Sequence, residues 1–158
     1  MYNQTSVANS QNFVKTINII HTALLAGLIL FSVVAYNINT NKLMSFELSK
    51  DAFFYLVPSF IIVGGITGIY LFNQTIKKAI NEDSLSSKLA IYSKAFISKC
   101  ALIEGPAMFG IVVFLLSGNL FYLLFSGLNI IHLAVQKPTK TKIEDSLNLS
   151  YEDKMMLG

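Results

Sequence analysis

The stretch AFISKCALIEGPAMFGIVVFLLSGNLFYLLFSGLNIIHLAV, Ala95–Val135, decides what kind of molecule this is. Two apolar runs, Ala95–Leu116 and Leu120–Val135, are separated only by Ser117-Gly118-Asn119. Three such residues make a tight turn and nothing larger, so the runs fold back on each other as a helical hairpin. A helix rises about 1.5 Å per residue and needs about 20 residues to cross a hydrocarbon core of about 30 Å. The first run meets that length. The second is shorter and reaches it by tilting and by extension through Gln136 and Lys137 before Pro138.

Toward the N-terminus lie two more apolar blocks, Phe13–Tyr36 and Ala52–Asn73, each long enough to span. Of the 158 residues 53% are hydrophobic and 13% charged, and the mean hydropathy is +0.56. Those values lie outside the range of a soluble domain. The expected fold class is all-α: a polytopic membrane protein with four transmembrane helices in an antiparallel bundle. The spans fall at about 13–36, 52–76, 89–116 and 120–137, so that residues 1–137 form the membrane domain and 138–158 a tail. A secretory signal peptide is the competing reading of the first block. Met1–Asn12 has no basic residue, the apolar run is longer than a signal core, and no small-x-small cleavage site follows.

All 12 basic residues are lysines. Lys77, Lys78, Lys88 and Lys94 lie between the second and third blocks and Lys137, Lys140, Lys142 and Lys154 in the tail, against Lys42 and Lys50 between the first and second. Basic residues mark the cytoplasmic side, which predicts both termini in the cytoplasm and a place in a bacterial inner membrane. Trp is absent, so interface anchoring falls to Tyr36, Phe53, Phe54, Tyr55, Phe121 and Tyr122 outside and to Phe13 and Tyr92 inside. Asn81–Ser84 reads as the inner turn, Asp83 or Ser84 as a helix cap, and Ser86–Lys94 as a polar extension of the third helix. In the tail, Thr141 and Glu144 match a capping box for a short surface helix, against a default of a solvated tail.

Glu104 lies near the middle of the third block, where an acidic group costs roughly 2.5–3.5 kcal/mol on insertion scales. It must face protein or water, and it is a candidate for proton or small-cation binding, or else a neutral acid that holds helices together. Gly105 and Pro106 follow it, and Pro106 frees the carbonyl of Leu102 and bends the helix. Asn18-Ile19-Ile20-His21 and Asn129-Ile130-Ile131-His132 are the same four residues in the first and fourth spans, and positions three apart share a helix face. The expectation is a polar cluster of His21, Glu104 and His132 with Asn18 and Asn129, suited to relaying a proton. Gly64 with Gly68, and Ala101 with Gly105, form small-xxx-small faces that let helix backbones approach closely.

Other chemistries find less in the residues. Two histidines on different helices could hold a haem, and His-Glu-His a metal, but neither has a diagnostic spacing and no Arg is present to pair with propionates. The reading therefore assigns no cofactor and no metal. The lone Cys100 excludes a disulfide framework, and no nucleophile–base pair or phosphate loop suggests an enzyme. Nucleic-acid binding is unsupported. The expected partners are the lipid bilayer and a homo-oligomer or larger membrane complex.

Gly64-Gly65-Ile66-Thr67-Gly68 in the second span and Ala101–Val113 around Glu104 in the third resemble the proteolipid hairpin, the c subunit, of rotary ATP synthases. That resemblance covers about a third of the chain. It implies that Glu104 binds a transported proton or sodium ion and that the loop between these spans is cytoplasmic. The chain departs from the family in having few glycines in the first helix, no basic-polar-Pro loop signature, and its carboxylate in the third span instead of the last. The chain as a whole, with Lys137-Pro138-Thr139-Lys140, is similar to small bacterial four-helix membrane proteins, which implies no activity. The function expected from the sequence is proton or small-cation binding at Glu104, with an accessory or scaffolding subunit as the alternative and a haem-binding membrane protein third.

Overall fold

The computed structural model describes residues 4–45 and 52–157, with side chains from residue 12 onward. Lys50, one of the two lysines counted between the first and second blocks, lies outside the described residues. The described residues form six helices: α1 (Gln4–Ile38), α2 (Phe53–Ile80), α3 (Leu85–Ser117), α4 (Leu120–Val135), α5 (Lys140–Leu147) and α6 (Tyr151–Met156). Among the described residues there is no strand beyond one isolated bridge, Leu43 to Asn119.

Local chemistry sets the helix ends. Ser84 caps α3 by accepting a hydrogen bond from the Ser87 amide at 3.2 Å. At the other end Gly118 takes φ 71°, a left-handed conformation that suits glycine, and its N–H bonds to the Phe114 carbonyl. Asn119 then caps α4 through the Phe121 amide. The segment 39–45 is laced onto this turn. Asn39 Nδ2 donates to the carbonyls of Phe114 and Leu115, both at 3.2 Å, and Asn119 Nδ2 donates to the Ser45 carbonyl at 3.0 Å. Asn39 thereby adds to the Gly118 bond at Phe114 and supplies a partner to the Leu115 carbonyl in the last turn of α3.

The core is organised around α3, which packs against α1, α2 and α4. Phe96, Cys100, Ile103, Ala107, Ile111 and Phe114 recur every three or four residues and are all buried. By contrast α1 and α2 turn much of their apolar surface outward, including Leu30, Val33, Phe60, Val63 and Ile66. Apolar surface this continuous matches a hydrocarbon surrounding and not water. Asn12–Ile38, Phe53–Ile80 and Leu85–Ser117 are each long and apolar enough to cross a membrane. A fourth candidate consists of α4 together with α5, bent by 77° where they meet. The described residues are thus all-helical, with three or four candidate membrane-spanning helices.

Several expectations are corrected by the packing. The fourth helix stops at Val135 instead of running through Lys137, because the Gln136 amide turns back to the Leu133 carbonyl and Pro138 follows. Tyr92, Phe121 and Tyr122 are not interface anchors: they are 2%, 5% and 0% exposed. Tyr92 joins Phe13 of α1, Phe72 of α2 and Phe96 in an aromatic cluster, and Phe121 stacks on Phe54 at 4.4 Å. The tail is not simply solvated. Ile143, Leu147, Leu149 and Leu157 are buried, α5 packs on α2 and α3, and α6 packs on α1. Thr139, not Thr141, caps α5 by accepting from the Lys142 amide, since the chain is still extended at Thr139. An ion pair between Lys88 and Asp153 at 3.5 Å ties α6 to the start of α3.

Candidate functional site

The turn of α3 around Pro106 is where three helices meet. Pro106 deprives the Leu102 carbonyl of its helical donor, and α2 covers that carbonyl with Gly64. A Cβ at Gly64 would lie 2.5 Å from the Leu102 oxygen and 2.8 Å from Pro106 Cγ, so only glycine permits this approach. One turn along, Gly68 sits over the backbone of Lys99 and the Leu102 side chain. From the other side, Asn129 of α4 donates to the neighbouring Ile103 carbonyl at 2.7 Å. Gly110 lies against Ser126 Oγ, Val57 and the Tyr122 carbonyl, leaving no space for a Cβ.

The two identical tetrapeptides are used in opposite ways. In α1, His21 is the buried member, 2% exposed. Its Nε2 lies 2.9 Å from the Leu133 carbonyl and its ring 6.0 Å from Phe96. Leu133 is in the last turn of α4, and its carbonyl, which also accepts from the Gln136 amide at 3.0 Å, has a second lone pair to offer. With the proton on Nε2, His21 therefore ties α1 to the end of α4. Asn18 bonds back to the Val14 carbonyl of its own helix, and its Oδ1 is buried without a partner. In α4 it is Asn129 that is buried, while His132 is exposed. His132 lies in an open groove between α2 and α4, and its one polar contact among the described residues is Gln136, at a long 3.4 Å.

Glu104 is half-buried and makes no hydrogen bond or ion pair among the described residues. No hydrogen bond or ion pair joins it to His21 or His132. Nor do any three His, Cys, Asp or Glu side chains among the described residues come close enough to share a metal ion. Ala101 and Gly105 point away from the α2–α3 contact: Ala101 is exposed, and a Cβ on Gly105 would meet nothing within 4 Å. The backbone approach expected of that pair is made instead by Gly64 and Gly68 over Leu102 and Pro106.

Lys99, the one basic residue within the apolar block Ala95–Leu116, was not among the residues singled out from the sequence. It is half-buried, and its ammonium donates to Gln136 Oε1 at 2.6 Å and sits 4.8 Å above the Phe72 ring. A lysine stem can lie along apolar surface while the charge reaches the helix end. Its position as a lone lysine inside an apolar run is the signal that could have found it. Lys142 closes the end of α4 from beyond, donating to the carbonyls of Val135 and Lys137 at 3.3 and 3.0 Å. Comparison with known proteins adds nothing to this geometry: no family model, no curated protein and no solved structure matches the chain.

Proposed function

We propose that this chain is an accessory or scaffolding subunit of the bacterial inner membrane, with four helices in an antiparallel bundle and both termini cytoplasmic. The observation that carries the reading is how the interior polar groups are engaged. His21 and Asn129 each end on a backbone carbonyl of a neighbouring helix, and Ser126 on the Tyr122 carbonyl of its own. Groups held this way fasten helices together and offer no continuous path for an ion. The lysine distribution supports the orientation.

A second reading, in which Glu104 binds or relays a proton or small cation within a homo-oligomer or larger complex, is favoured by one observation. Glu104 has no partner among the described residues, at a depth where an unpaired acid is costly. Proton and cation flux into proteoliposomes separates the two, using wild type and Glu104→Gln. Flux equal to that of protein-free liposomes for both is expected. Flux by wild type that Glu104→Gln abolishes would overturn the accessory reading and establish the second.

A further inference from the structure

The groove that holds His132 runs along the outside of the molecule between α2 and α4. It encloses about 380 Å³ and is lined by Ile62, Gly65, Ile66 and Ile69 on one wall and Phe125 and Leu128 on the other. Gly65 contributes to its width, because a Cβ there would touch nothing within 4 Å. At its midpoint Asn129 is turned inward to the Ile103 carbonyl, so the walls that remain are almost wholly apolar.

The end of the groove is different. Ile69 and His132 are its last lining residues in the direction of the α4 C-terminus. About one turn further on each helix come Phe72 and Gln136, and between them lies the Lys99 ammonium, above the ring of the first and bonded to the amide of the second. Gln136 presents its oxygen to Lys99, which leaves its Nε2 to donate to His132 Nε2. In the tautomer that accepts this bond, the His132 Nδ1–H is a donor on an exposed ring. The ion pairs among the described residues are Lys88–Asp153 and Lys140–Glu144. Neither involves Lys99 or the adjacent Lys142, so this end of the groove carries uncompensated positive charge.

We infer that the α2–α4 groove is a binding site for one anionic phospholipid, its acyl chain along the apolar walls and its phosphate at Lys99, His132 and Gln136. The occupant follows from complementarity. A long, lipid-facing apolar channel that terminates in an unpaired ammonium and a free imidazole donor, level with the last turn of a membrane helix, matches an amphiphile with an anionic head. A zwitterionic headgroup offers the same phosphate but brings its own cation beside Lys99 and Lys142, and a soluble anion would leave the apolar walls unused. The inference rests on the chain being embedded in a membrane and is independent of any role for Glu104.

Native mass spectrometry of the detergent-solubilised full chain tests it, titrating phosphatidylglycerol against phosphatidylcholine with the same acyl chains. Wild type is expected to retain phosphatidylglycerol preferentially, with one tight site. Lys99→Gln is expected to weaken that site roughly fivefold, the factor corresponding to about 1 kcal/mol for one lysine near a membrane surface. Lys77→Gln, which removes an exposed lysine elsewhere, is expected to leave it unchanged. Gly65→Phe fills the groove without touching a charge and is expected to remove the tight site for both lipids. Equal retention of the two lipids by wild type, equal weakening by Lys99→Gln and Lys77→Gln, or unaltered binding by Gly65→Phe would each overturn the proposal. Should Lys99→Gln fail to fold, as judged by circular dichroism, the headgroup comparison in wild type and the Gly65→Phe arm decide alone.

Discussion

The imidazole Nε2 of His21 lies 2.9 Å from the carbonyl oxygen of Leu133, linking the first apolar helix to the last turn of the fourth. A helix end leaves carbonyls without partners, and α4 ends early because Pro138 cannot extend it. His21 adds a second bond to the Leu133 carbonyl, which already accepts from the Gln136 amide, and Lys142 meets the carbonyls of Val135 and Lys137. The short α4 is therefore held at its end by a side chain from distant α1 and one from the adjoining α5.

His21→Ala and His132→Ala, the same substitution in the same tetrapeptide, are expected to separate cleanly. Removing His21 takes away a buried interhelical bond and its packing on Phe96, a loss of about 1–3 kcal/mol. Removing the exposed His132 is expected to change stability by no more than about 0.5 kcal/mol. Thermal or denaturant unfolding in detergent gives both values. Equal losses would mean that the His21–Leu133 bond contributes nothing beyond an exposed contact.

Gly64→Ala and Gly65→Ala offer a second neighbouring contrast. The Cβ of the first would collide with the Leu102 carbonyl and Pro106, so α2 must move away from α3, at a cost of about 1–3 kcal/mol. The second meets open space. With glycine removed from a helix interior it is expected to be neutral or to stabilise by up to about 1 kcal/mol. Midpoints of thermal unfolding for the two variants should move in opposite directions or differ by several degrees.

The tail predicts its own protection. Leu147, the last residue of α5, is fully buried, and Leu147→Ala is expected to cost about 2–5 kcal/mol of local stability. Limited proteolysis of the purified protein should leave residues 140–157 intact under conditions that cut exposed loops. Leu147→Asp should make the same segment readily cleaved. Cleavage at equal rates in the two proteins would show that the tail is not held against α2 and α3.

Much of the helical layout was readable from the chain. The Ser117-Gly118-Asn119 turn could be only a turn, and in the structure Gly118 adopts the left-handed conformation and Asn119 the cap. The partners of individual polar residues were less legible. Helical spacing places Asn18 with His21 and Asn129 with His132 on shared faces, yet only one of each pair is buried, and it is the histidine in one helix and the asparagine in the other. Which face of a helix turns inward depends on its neighbours, and identical tetrapeptides have different neighbours. Lys99 shows the same limit from the other side. Its sequence position says that it lies within an apolar run, but Gln136 and Phe72 as its partners come from α4 and α2.

By itself the sequence determined that the chain is helical, where its long apolar helices lie, and where turns and prolines interrupt them. Those are consequences of residue hydropathy, backbone freedom and missing amide donors, which act locally. Only the tertiary structure decided that α3 is the central helix, that Gly64 closes over the carbonyl freed by Pro106, that the tail is packed, and that Glu104 stands without a hydrogen-bond or ion-pair partner among the described residues. Each of these depends on the rotation of one helix against another, which is settled by fitting side chains from distant segments into the same space.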